Sequence, residues 1–128
     1  FTIEMWVQQS GNNVVFTSGT GIYLYNALFF YTGANSPSMA AGNTSTGSAW
    51  EHFAISRTAG VLKTFKEGLE QASISYSTTM DFSTMRFGYF QPNGNLYYQH
   101  YLDDIRVTKN VGRYTTDFAP PTAAFPDY

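Results

Sequence analysis

Polarity alternates cleanly along the opening segment. Over residues 2–9, Ile3, Met5 and Val7 fall on one side and Thr2, Glu4, Trp6 and Gln8 on the other. That period of two predicts a half-buried β-strand. Turn-rich segments at Ser10–Asn13 and Ser18–Gly21 bracket a short strand over Val14–Thr17, and further strands are expected over Ile22–Tyr25 and Ala27–Tyr31. Residues 33–48, GANSPSMAAGNTSTGS, read as a long loop of small, mostly polar residues, a length usually functional or mobile. Alternation resumes over Trp50–Arg57, with Trp50, His52, Ala54 and Ser56 set against Glu51, Phe53, Ile55 and Arg57. The turn Thr58–Ala59–Gly60 leads into a strand over Val61–Lys66. A tight hairpin at Glu67–Gly68 then enters Leu69–Tyr76, with glycine supplying the positive φ. A loop over 77–84, a strand over Met85–Phe90, a turn at Pro92–Asn95 and a long strand over Tyr97–Thr108 follow.

That last strand is irregular. Leu102 and Ile105 are both apolar but three apart, with Asp103 and Asp104 between them. This is the two-for-one count of a β-bulge. Ile105 and Val107 then restore the alternation, with Arg106 and Thr108 on the other face. Beyond Lys109, Gly112, Pro120, Pro121 and Pro126 stop any regular element. Tyr114, Phe118 and Phe125 read as anchors holding an extended tail against a sheet. Nowhere do apolar residues hold helical spacing for three turns. The fold expected is therefore all-β, a sandwich or barrel of short antiparallel strands.

Composition narrows the function classes. Aromatic residues make up 18 % of the chain and charged residues only 12 %, about half the usual share. This balance suits a β-rich extracellular or virion surface. A net charge of −2 with seven Lys and Arg leaves little to neutralise phosphates, so nucleic acid is not an expected partner. No apolar run approaches the ~18 residues of a membrane helix, and no membrane partner is expected. There is no cysteine, so no disulfide is needed. The chain opens inside a strand at Phe1 without an initiator methionine, as expected of a processed product or part of a longer polypeptide.

Four blocks, FTIEMWV, WEHFAISRTAGVLKTFKEGLEQAS, MRFGYF and GRYTTDFAPPTAAFP, together resemble laminin-G-like domains, the concanavalin A-like jelly-roll sandwiches. The closing block is similar to the variety common in bacteriophage virion and tail proteins. The hairpin tip departs mildly, with Glu67–Gly68 where the family usually has Asp-Gly or Asn-Gly. The resemblance implies a single antiparallel β-sandwich over residues 1–128, closed by an aromatic, proline-rich strap over 110–128. It also implies a strand ahead of FTIEMWV, supplied by upstream chain or a neighbouring subunit. The implied function is a non-catalytic virion module of a tail fibre, capsid decoration or appendage. Its partners would be other virion proteins or copies of itself. A carbohydrate-binding module of a secreted or cell-surface protein, with a cell-surface glycan as partner, is the alternative. No cofactor is implied.

Glycanases on this sandwich gather three carboxylates on one strand, so that acid and nucleophile flank the glycosidic bond at about 5–5.5 Å. Here Glu4 and Glu51 each stand alone on a strand, and Glu67 and Glu70 straddle a hairpin tip. Asp103 and Asp104 are the weak candidates for Ca²⁺, which needs about six to eight oxygens. The simpler reading gives one Asp the backbone donors freed by the bulge and pairs the other with Arg106 or Lys109. His52 beside Trp50, and His100 among Tyr97, Tyr98 and Tyr101, read as packed side chains, since neither has metal-ligand spacing. Trp50, Gly68, Tyr114 and Phe118 likewise read as structural. Tyr89, Gln91, Asn93, Asn95, Tyr97 and Tyr98 mix aromatic faces with amides around one loop, as a sugar site would. The same tyrosines would equally pack a sheet face or a subunit interface, and packing is the favoured reading.

Overall fold

The computed structural model describes residues 1–9, 14–18, 22–25, 29–32, 38–40, 49–90, 96–97 and 100–126. Among them run twelve strands: β1 (Thr2–Gln9), β2 (Val14–Ser18), β3 (Ile22–Tyr25), β4 (Phe29–Thr32), β5 (Ser38–Ala40), β6 (Glu51–Thr58), β7 (Val61–Lys66), β8 (Leu69–Ser75), β9 (Arg86–Phe87), β10 (Tyr89–Phe90), β11 (Leu96–Tyr97) and β12 (His100–Thr108). They form a five-stranded sheet ordered β12-β1-β6-β7-β8, a second ordered β5-β4-β3-β2-β9, and a β10-β11 ribbon. All pairings are antiparallel. No described residue is helical. The protein is all-β, and its sheets are consistent with a β-sandwich.

The first sheet positions the site. Ile3, Met5 and Val7 of β1 are each 1 % exposed and join Phe53, Ile55 and Leu62 in the hydrophobic core, closed by Phe1, Tyr76 and Met80. Phe87 of β9 packs on the same cluster, which links the second sheet to it. Two hairpins join β6 to β7 and β7 to the edge strand β8. Glu67 and Gly68 both take positive φ (50° and 76°), as do Ala59 and Gly60. Two successive left-handed residues make the type I′ turn that matches strand twist.

Several expectations need correction. β1 is more than half-buried: Thr2 and Glu4, on its polar face, are as inaccessible as its apolar face, while Trp6 and Gln8 stay partly exposed. Alternation reports the polarity of a face, and here the tail covers the polar one. The segment 33–48 contains β5 instead of running as an uninterrupted loop. The expected strand over Met85–Phe90 is split into β9 and β10 at Gly88. Of the one expected over Tyr97–Thr108, Tyr97 pairs in the β10–β11 ribbon while His100–Thr108 forms β12 of the first sheet.

The bulge lies where Asp103 and Asp104 break the alternation. Glu4 pairs with Arg106 and Trp6 with Asp103, so two steps along β1 match three along β12. Asp104 takes φ 45°, and its N–H donates to Asp103 Oδ1 at 2.9 Å. A short polar side chain with a local acceptor tolerates this left-handed conformation better than most. The bulge also sets chemistry. Continued without it from Trp6–Asp103, the register would bring Ile105 opposite Glu4; the extra residue brings Arg106.

Candidate functional site

Beyond β12 the chain turns back and crosses the polar face of the first sheet. Thr2 Oγ1 donates to Val111 O (3.0 Å) and accepts the Arg113 N–H (2.8 Å). Its hydrogen being committed, Ser56 donates to it across 3.3 Å, while Ser56 Oγ accepts the Tyr114 N–H at 3.2 Å. Further along, Lys63 Nζ donates to Thr115 O (2.9 Å) and Asp117 Oδ1 accepts the Glu70 N–H (2.8 Å). The Phe118 N–H donates to Gly68 O at 2.9 Å. The approach is close at both ends. A Cβ on Gly68 would stand 1.8 Å from Phe118 O, and one on Gly112 would stand 1.9 Å from Thr58 Oγ1. Both positions therefore demand glycine.

At the centre of the covered face is Glu4, whose side chain is wholly inaccessible. Its Oε1 accepts from Arg106 Nη2 (2.7 Å) and Nε (2.8 Å), and its Oε2 accepts the Tyr114 hydroxyl at 2.6 Å. His52 Nε2 stands 3.5 Å from Oε2, beyond a well-formed hydrogen bond, so neither ring nitrogen of this buried imidazole has a hydrogen-bond partner. Burial alone would raise the Glu4 carboxyl. The polar contacts to His52, Tyr114 and Arg106, with the arginine's charge, outweigh it and hold the group below its ordinary range. Tyr114 moves the other way. Burial first, then its hydrogen bond to Glu4 and that carboxylate's charge, push its hydroxyl up to about 12.

Aromatic rings seal the cluster. Tyr114 and Phe118 stack with centroids 3.6 Å apart and planes 6° off parallel. Phe118 meets Phe65 (5.4 Å) and His52 (5.8 Å) edge-on, and Trp6 meets His52 at 5.3 Å. The Arg106 guanidinium lies 3.7 Å from the Phe125 ring centroid. Such edge-to-face and cation–π contacts each add about 0.5–1.5 kcal/mol beyond area burial. With both carboxylate oxygens engaged and solvent excluded, Glu4 acts here as a fastener. Its chemistry is to stay ionised, keep Tyr114 protonated and pin the tail.

The expected anchors Tyr114, Phe118 and Phe125 all lie in this closure, as do His52, Gly68 and Arg106. Asp103 takes the freed Asp104 N–H, as expected of one of the two aspartates, whereas Arg106 pairs with Glu4 and not with the other. Trp50 is 42 % exposed beside the tail. Glu51 pairs with Lys66 (2.9 Å) and Glu70 with Lys63 (2.7 Å), and Glu67 Oε1 accepts the His52 backbone N–H. No group of three or more potential ligands at Asp103 and Asp104, or elsewhere among the described residues, could hold a metal ion. Of the expected sugar-facing set, Tyr89 and Tyr97 are register partners across the β10–β11 ribbon. Gln91, Asn93, Asn95 and Tyr98 lie outside the described residues, as do the Gly19–Gly21 turn and the side chain of His100.

Sequence reasoning missed Glu4. Its signal was present but divided: an acid on the polar face of one strand, an arginine on the polar face of another, and a tyrosine in the tail. Only strand order joins them. Comparison with protein-family models and with curated proteins returns no match for this chain.

Proposed function

We propose that this chain is a non-catalytic assembly and recognition module of a phage or phage-like virion, built on a laminin-G-like jelly roll. It serves a tail fibre, capsid decoration or appendage and works by binding surfaces. One observation carries the reading. The segment whose sequence resembles phage virion domains, GRYTTDFAPP, is the segment that closes over Glu4. The closure commits Glu4, a carboxylate with a wholly inaccessible side chain, to holding the fold together. The low charge and aromatic richness of the sequence suit packing against neighbouring subunits. Immunogold labelling of particles from a host carrying the gene tests it. Regular label on tails or capsids is expected, and label confined to the cell fraction would overturn the assignment.

The lectin alternative keeps one observation in its favour, the register pairing of Tyr89 with Tyr97, which brings two candidate aromatic residues together. A glycan array separates the two readings. Saturable glycan binding lost on Tyr97→Ala would favour the lectin, and an empty array would favour assembly.

A further inference from the structure

Where the tail leaves the first sheet it walls a cleft of about 490 Å³. The sheet side contributes Trp6, Asp103 and Asp104, Trp50 stands at the start of β6, and the tail contributes Pro120 and Pro121 followed by Thr122–Ala124. The chain has only two tryptophans, and both line this cleft. Trp50 is the more open, at 42 % exposure.

The charge in the cleft is one-sided. Among the described residues, Asp103 and Asp104 are the only charged ones lining it, and no cation pairs with either. The cation nearest in sequence, Arg106, is committed to Glu4 and to the Phe125 ring. Indole faces beside unneutralised carboxylates attract a cation carried on an apolar stem, through the ring quadrupole and through direct charge. A neutral sugar fits less well. Apart from indole N–H groups and the Thr122 hydroxyl, the described lining side chains offer no donors for sugar oxygens, and none of them is an amide.

We propose that this cleft binds an organic cation, an ammonium or guanidinium group on an alkyl stem. Lysine and arginine side chains of a protein partner carry that chemistry, and so do free quaternary amines. The bulge gives the site its form, because it sets two consecutive carboxylates beside Trp6 on a strand that would otherwise alternate them.

Tryptophan fluorescence reads the site directly, since both emitters line it. The whole chain is titrated with Nα-acetyl-lysine amide, Nα-acetyl-arginine amide, choline, sodium chloride at matched ionic strength, and methyl glucoside. Saturable change with one or more organic cations, and none with sodium or the glucoside, is expected. Binding only by the amino-acid amides identifies a protein side chain as the source, and binding by choline a free amine. In D103N/D104N the affinity should fall at least about tenfold, equivalent to about 1.4 kcal/mol. Asparagine keeps the acceptor that caps the bulge and tolerates the left-handed position, so the fold is retained. Trp50→Ala, at an exposed residue ahead of β6, provides a second variant that should lose binding. An unsaturable response, equal binding by the glucoside, or unchanged affinity in both variants would overturn the proposal.

Discussion

At their centres the two faces of the first sheet are buried to the same degree by different chemistry. On one, Ile3, Met5, Val7, Phe53, Ile55 and Leu62 meet other apolar side chains, and none is more than 3 % exposed. On the other, Thr2, Glu4, His52 and Ser56 are at most 1 % exposed, beneath a tail with no regular structure. The apolar face is held by area, a force without direction that tolerates repacking. The polar face is held by hydrogen bonds, one ionised carboxylate and the ring contacts of Phe65 with Tyr114 and Phe118, whose combined geometry fixes how the tail is seated. The contrast teaches that burial on this face is specified by partners more than by hydrophobicity. It should therefore fail in a different way when broken.

The largest failure should come from Arg106→Ala. It leaves Glu4 buried without its cation, and breaking such a pair costs about 3–5 kcal/mol. Urea denaturation should show the midpoint falling accordingly. Ile3→Ala creates a cavity on the opposite face and should cost about 3 kcal/mol by the same measurement. The two variants sharpen the comparison through limited proteolysis under native conditions. Cleavage within 110–126 should accelerate more in Arg106→Ala than global stability alone explains, and in Ile3→Ala only in step with it. Thr2→Val keeps the shape of the side chain but removes the donor to Val111 O and the acceptor of the Arg113 N–H. A loss of about 2 kcal/mol in thermal or urea unfolding is expected.

The smallest effect should be Tyr114→Phe, about 1 kcal/mol near neutrality, and its pH dependence is more telling than its size. The folded-state pKa of Tyr114 is raised from 10.0 to about 12. Its contribution is therefore complete below pH 10 and lost as pH rises toward 12. Unfolding followed across that window should fall more steeply in the parent than in the variant. Glu4 has the reverse sign. Its pKa is lowered from 4.5, so its contribution is present above that value and lost as pH falls through the depressed one.

Local features of this fold were legible in the sequence because local rules govern them. The alternation of residues 2–9, the two-for-one count around Asp103 and Asp104, and the Glu67–Gly68 turn each depend on neighbours within a few positions. The site was not legible in the same way. Arg106 and Tyr114 reach Glu4 from 102 and 110 residues away, and periodicity does not give the strand order that joins them. The polar alternate positions of β1 pointed to solvent because nothing local to that strand announces a cover. Tyr114 and Phe118 did read as anchors of a tail, and with β12 known to pair with β1 they would have implied what lay beneath. The bulge links both kinds of information. Its local pattern is visible, while its consequence, Arg106 set opposite Glu4 in place of Ile105, emerges only from register.

Native-state hydrogen exchange tests most directly whether the tail is an integral wall of the fold. The amides of Arg113, Tyr114 and Phe118 donate to Thr2, Ser56 and Gly68. If the polar face is closed as described, they exchange only through global unfolding, with the same opening free energy as the amides of β1 and β6. Exchange of those three amides at near-unprotected rates, while β1 and β6 remain protected, would contradict the account.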